Sequence, residues 1–264
     1  MFKTFVINLD KDTERMQFMH TQLSGMGIEY QRVAAILGKE YTPTKDEYDE
    51  NVALLKTGQA LFPNELGCAL SHKKVYEMIV ANNIPLALIF EDDVLLPDNF
   101  NQIVTEQVKL QKKYHWEYLA FNYPVVGILW IKKWAISLIA NFRKTKQQSI
   151  FKKISFILIG VIKVLYMIPL SLFEGWRNEY KCRKPGPVIF LRPMYLAGAY
   201  LVTLEGVKKL LELSNPIVYP ADRIQNQARV KKGLAFRCYA PLLVAQQNRQ
   251  FGSSILELSG EDLL

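Results

Sequence analysis

Short apolar runs alternate along most of the chain with stretches whose apolar residues recur at helical spacing. Residues 4–9, "TFVINL", are apolar and β-branched, as a buried strand requires. A helical stretch, "DKDTERMQFMHTQLSGMG", follows and closes on Gly25 and Gly27. "EYQRVAA" predicts a second strand, and residues 36–63, with Pro43, Gly58 and Pro63, predict loop with short helical pieces. Asn64 is the expected N-cap of "ELGCALSHKKVYEMIVANN", where Leu66, Leu70, Val75, Met78 and Ile79 share one face. "LALIF" then predicts a strand, Pro97 to about Lys112 a helix, and "EYLAFN" another strand.

Further on, "PVIFLRP" and "YLAGAYLVT" read as strands, "LEGVKKLLELS" and "YPADRIQNQARVKKG" as helices, and "AFRCYAPLLVAQ" as one last strand. Alternating strands and helices with short, wholly apolar strands predict an α/β fold. Its sheet is mostly parallel and Rossmann-type, with helices on both faces.

Charge changes the picture in one place. The chain of 264 residues carries a net +8, but residues 125–184 hold twelve Lys and Arg against two acids, +10, which leaves −2 for the rest. Within that segment residues 154–173 are twenty long with one charge, Lys163. That length is enough for a transmembrane helix, yet one span would put the two halves of the chain on opposite sides of a bilayer. A two-helix hairpin escapes this objection but places Lys132 and Lys133 within its first apolar stretch. Lys152 and Lys163 lie eleven apart on one helical face, which fits a helix lying in an anionic membrane surface. A helical pair packed on the domain is the alternative. Cations alternating with aliphatic runs do not fit nucleic acid.

Three scattered cysteines, Cys68, Cys182 and Cys238, form no CxxC; they suit a reducing compartment and argue against a disulfide scaffold or a zinc site. The N-terminus has too short an apolar run for a signal peptide, so a cytoplasmic protein is expected.

The chemistry concentrates in "ALIFEDDVLLP", where a buried strand runs into Glu91, Asp92 and Asp93. Charges taken from water need compensation, and ligands gather at the carboxyl ends of parallel strands. In extended chain Glu91 and Asp93 share a face and Asp92 points away. Such an acid-x-acid pair is a hard-oxygen site for Mn²⁺ or Mg²⁺ with positions left for phosphate. A solvated acidic turn is the bland alternative. A cation here suits transfer from a nucleotide sugar, by clamping the diphosphate, with Glu91, Asp92 and Asp93 expected to hold metal and donor. A receiver-type phosphoacceptor site and a glycosidase pair fit less well, because both place their acids differently along the chain.

"FVINLDKDTERM", "NELGCALSHKKVYE" and "LALIFEDDVLLP", and later "YLAGAYLVTLEGVKKLL", "YPAD", "APLLVAQ" and "GSSI", resemble the blocks of glycosyltransferase family 25. That family includes bacterial lipooligosaccharide galactosyl- and glucosyltransferases and collagen galactosyltransferases. The resemblance covers roughly residues 1–123 and 188–256. It implies one GT-A-like domain over 1–264, from whose expected compact middle region the basic apolar helical insertion at about 124–186 departs. It also implies a UDP-sugar donor, galactose before glucose, a divalent metal and inversion at the anomeric carbon. An acceptor anchored in lipid, such as a lipooligosaccharide core, would account for the basic segment and place the enzyme on the inner face of the cytoplasmic membrane. A non-catalytic, membrane-bound relative that binds a glycan or a partner is the rival reading.

Several other residues become candidates. Asn8 ends the first strand at the same sheet edge and is a candidate for nucleotide contact. Arg15 either reaches a phosphate or is solvated. Ser71 and His72 are a satisfied polar pair or lie near donor or acceptor. Asp222 is either a helix cap or, through the family's Pro-x-Asp block, the catalytic base or a further metal carboxylate. Gly198 interrupts a strand, as glycine does where a ligand or neighbouring backbone comes close. Gln246, Ser253 and Ser254 match family blocks without an independent role.

Overall fold

The computed structural model describes residues 2–122, 186–188, 195, 197–240 and 242–246. The chain divides into two compact units, Met1–Tyr123 with Gly186–Leu264, and Pro124–Pro185. The second unit, and with it the basic apolar segment expected to lie on a membrane, is outside the described residues. Among the described residues no helix is long and apolar enough to cross a membrane.

Nine strands and six helices are described: β1 (Lys3–Asn8), α1 (Thr13–Gly25), β2 (Gln31–Ala34), α2 (Glu50–Thr57), α3 (Pro63–Ala81), β3 (Leu86–Glu91), β4 (Val94–Leu95), α4 (Phe100–Tyr114), β5 (Tyr118–Ala120), β6 (Gly186–Val188), β7 (Ala199–Thr203), α5 (Leu204–Leu211), α6 (Ala221–Lys232), β8 (Phe236–Ala240) and β9 (Ala245–Gln246). Seven strands form one sheet in the order β2-β1-β3-β7-β5-β8-β6, and β4 pairs with β9 in a second. Strands β1, β2, β3, β5 and β8 run one way. β7 and β6 run against them, and β7 separates β3 from β5. The mostly parallel α/β sheet is therefore observed, with two reversed strands that the periodicity does not disclose.

Side-chain alternation divides the core into two layers. Phe5, Ile7, Ala87, Ile89, Tyr200 and Val202 pack with residues of α3, α5 and α6. Val6, Leu86, Leu88, Phe90, Ala199 and Leu201 pack with residues of α1 and α4 on the other face. This alternation of period two carries over to the polar ends of the strands. Glu91 continues the face of Ala87 and Ile89, towards α3, and Asn8 continues that of Val6, towards α1.

Three boundaries differ from expectation. α3 begins at Pro63, because the Glu65 carboxylate accepts from the backbone N–H of Phe62 at 2.9 Å, so the cap lies two residues before Asn64. The last predicted strand is two: β8 joins the main sheet, while β9 pairs antiparallel with β4, placing Gln246 opposite Val94. The loop at 36–38 lies against α3 at two glycines. A Cβ on Gly38 would stand 1.7 Å from the Pro63 carbonyl oxygen, and one on Gly67 would stand 2.5 Å from that of Ile36.

Candidate active site

The carboxyl ends of β1, β2 and β3 open on a cavity of about 360 Å³. The loop after β2, the first turns of α3 and α6, and Gln246 of β9 complete its lining. It lies where β1 continues to β2 on one side and β3 on the other, the type of crevice in which α/β sheets bind ligands.

Glu91, Asp93 and Asp222 all line this cavity. β3 ends at Glu91, and the chain turns at Asp92 and Asp93 before β4. The separation of the three acids holds through the turn. Gln246 Nε2 donates to Glu91 Oε2 at 3.0 Å and approaches Asp93 Oδ1 at 3.4 Å. Asp92, expected among the donor-binding acids, lies on the opposite face outside the cavity lining, accepting from Asn8 Nδ2 at 2.7 Å and paired with Arg15 Nη1 at 3.3 Å. Burial, with the charges of Glu91 and Asp92, pushes the Asp93 pKa up to about 7; Arg15 and Gln246 only partly offset this. Burial also raises Asp92, against the hydrogen bond from Asn8 and the charge of Arg15.

Asp222 stands in the first turn of α6, just after the N-cap Pro220. It is no capping residue. Burial raises its pKa, Arg223 opposes this, and Glu65 and Glu91 add to the rise. A carboxyl raised by burial thus lines the same cavity as Glu91 and Asp93.

The remaining predicted residues have partners within the protein. Asn8 is 2% exposed; its amide donates to Asp92 and to the Asp12 carbonyl, and its oxygen accepts from Arg32 Nε at 2.9 Å. It holds Asp92 and does not line the cavity. Ser71 Oγ donates to the Gly67 carbonyl at 2.6 Å and accepts from Ile36 N–H at 2.8 Å, which fixes the cavity loop to α3. Gly198 provides close approach, as expected, but to side chains: its Cβ would lie 2.6 Å from Asn122 Nδ2 and 3.1 Å from Gln246 Nε2. Ala197 lines the cavity in its place. Arg15 reaches the cavity wall while paired with Asp92.

His72 stands in the cavity wall with its ring turned to Glu91. Its Nε2 lies 3.2 Å from Glu91 Oε1, and its Nδ1 lies 2.7 Å from the Tyr200 hydroxyl, which is 2.9 Å from that of Tyr76. Sequence reasoning missed Cys68, whose Sγ donates to the same Glu91 oxygen at 3.6 Å. The signal was present: Cys68 and His72 are four apart on α3, so they share the face that packs on β3. It also left Gln246 without a role, because the pairing of β9 with β4 is not visible in the chain order. Ser253 and Ser254 lie outside the described residues.

Comparisons with known proteins bear on this site. A mouse protein named "Inactive glycosyltransferase 25 family member 3" is 33% identical over 119 residues, 42% of this chain and 20% of its own. Procollagen galactosyltransferase 1-A of Xenopus laevis is 30% identical over 98 residues, 35% of this chain and 16% of its own. The lipooligosaccharide biosynthesis protein lic2B of Haemophilus influenzae is 26% identical over 115 residues, 43% of this chain and 42% of its own. The match thus spans about a fifth of the animal relatives and less than half of the bacterial one. A solved glycosyltransferase involved in glycosylating the major capsid of PBCV-1 covers 97% of this chain and 95% of its own at 10% identity. Its TM-score of 0.41 is too low to bear on the fold. The description "Glycosyltransferase family 25 (LPS biosynthesis protein)" matches residues 1–225, the span that holds every carboxylate of the cavity, and the chain belongs to that family.

Proposed function

We propose that the chain is a cation-dependent, inverting hexosyltransferase on a GT-A-like fold. It moves a hexose, galactose before glucose, from a UDP-sugar to a lipooligosaccharide acceptor. The observation that carries this reading is the convergence of Glu91 and Asp93 on one cavity that also holds Asp222. The donor and acceptor classes are supported by the names of relatives, a procollagen galactosyltransferase and a lipooligosaccharide biosynthesis protein.

The residues present fit a hard divalent cation. Glu91 and Asp93 share one neutral amide donor, and Asp93 is left with a carboxyl pKa near 7 by burial and like charge. A cation held by both would relieve that repulsion, and carboxylate oxygens suit Mn²⁺ or Mg²⁺. When bound, Mn²⁺ or Mg²⁺ supplies charge for the donor diphosphate and for the UDP that departs. Arg15, fixed by Asp92, adds positive charge at the same wall. Asp222 takes the proton of the acceptor hydroxyl, and its raised pKa suits that task. The acceptor oxygen forms its bond to the anomeric carbon on the face opposite the breaking bond to UDP, so the configuration inverts.

The reading extends to a peripheral position on the cytoplasmic membrane, because twelve cations stand among aliphatic runs at 125–184 and the acceptor class carries lipid. Co-sedimentation with anionic but not neutral vesicles tests that part. Calorimetry of UDP with and without Mn²⁺ tests the donor site: cation-dependent binding supports it, and no binding in either condition removes it.

One observation favours a second reading, a non-catalytic relative that binds a glycan or partner: the mouse relative is named inactive. Such a protein would bind its ligand without releasing UDP from any UDP-sugar.

A further inference from the structure

We propose that Cys68, His72 and Glu91 form a second metal site, for a borderline divalent ion of the zinc class, in the wall of the same cavity. Cys68 Sγ and His72 Nε2 lie 3.6 and 3.2 Å from Glu91 Oε1, and the three ligand atoms all lie within 4.8 Å of one another. Around tetrahedral zinc, bonds of about 2.0–2.3 Å place ligand atoms roughly 3.2–3.8 Å apart. Two of the three separations already match, and the third is no more than 4.8 Å. All three residues line the cavity.

The site is built on rigid elements. Cys68 and His72 come from one face of α3, and Glu91 from the end of β3. The Tyr200 hydroxyl at His72 Nδ1 orients the ring, and Tyr200 also stacks on it with centroids 5.8 Å apart. Such outer partners are the usual support of a metal-binding histidine. Tyr200 and Tyr76 hydroxyls each donate or accept, so the ring can present Nε2 as a lone pair with its proton on Nδ1.

Glu91 divides its two oxygens between two chemistries. Oε1 faces the thiol and imidazole, while Oε2 faces Gln246 and the Asp93 side. A soft ligand set thus borders a hard one across a single carboxylate. On binding, Cys68 enters as thiolate and its proton passes to solvent, with no change of oxidation state. An ion here draws on the charge of Glu91 and opposes a second cation at Asp93. The site rests on the ligand geometry alone and does not require the transferase reading.

Cobalt(II) titrated into the full metal-free chain is the test, since thiolate ligation gives a charge-transfer band in the near ultraviolet. The expected result is that band with tetrahedral visible absorption, both abolished by equimolar zinc. Cys68→Ser should remove the band and His72→Gln should weaken cobalt binding at least tenfold, while Asp93→Asn keeps the band. Circular dichroism of each variant separates lost ligation from lost folding. Absence of cobalt binding, binding without the band, or a band that survives in Cys68→Ser overturns the proposal. UDP-sugar turnover is read separately, so failure of either reading leaves the other standing.

Discussion

Gln246 Nε2 lies 3.0 Å from Glu91 Oε2, joining residues 155 positions apart in the chain. The same nitrogen is 3.4 Å from Asp93 Oδ1, so one neutral amide holds two acids that repel each other. Removing it frees both carboxylates without removing either. Gln246→Ala should weaken Mn²⁺ binding by about 10–100-fold, the usual effect of losing an outer-sphere partner. Calorimetry reads this; unchanged affinity would mean that the amide positions nothing.

Asn8 has a structural task. Its amide serves Asp92, the Asp12 carbonyl and Arg32 at once. Asn8→Ala takes from the buried Asp92 carboxylate one of its two donors, leaving Arg15, and should cost about 1–3 kcal/mol in urea denaturation. The KM for the donor should change little in the protein that remains folded. A large KM change at full stability would show nucleotide contact.

Asp222→Asn keeps the shape of the side chain and removes its ability to take a proton. The turnover number should fall by roughly 10²–10⁴-fold, the range of general-base catalysis, with UDP affinity unchanged. Equal losses in binding and turnover would assign Asp222 to the donor site.

The Asp93 pKa fixes the direction of a pH effect. It is raised from 3.8 to about 7, so the folded protein holds the proton more tightly than the unfolded chain. The stability this contributes is present below the lower value and is lost as pH rises through the upper one. Metal-free protein should therefore lose on the order of a few kcal/mol between about pH 4 and pH 7 from this group. Mn²⁺ should raise the melting temperature more at about pH 8 than at about pH 5. Asp93→Asn should flatten both slopes; slopes that match wild type would place the titration elsewhere.

Much of this was legible because local pattern and long-range packing agree. The apolar run from Leu86 to Phe90 places Glu91 at a sheet edge, and period-two alternation sets Glu91 and Asp93 apart from Asp92. The alternation survives even though the chain turns there. Less legible were contacts whose partners are far apart in the chain. Asn8 and Ser71 are polar residues at the right edge, and only the fold shows that Asp92 and the Ile36 N–H satisfy them. The split of the last strand into β8 and β9 hides for the same reason, since the partner of β9 is β4. Cys68 was hidden by counting cysteines for pairs, when its neighbours at the ligand distance are a histidine one turn on and a glutamate from another element.

The central claim is that Glu91 and Asp93 hold a cation for a UDP-sugar, and one measurement meets it directly. UDP release from a panel of UDP-hexoses, with a saccharide acceptor and with Mn²⁺ or a chelator, should occur for one donor in wild type and only with the cation. Asp93→Asn should abolish it. Release that is equal in the chelated enzyme or in Asp93→Asn, or no release from any donor, would contradict the account.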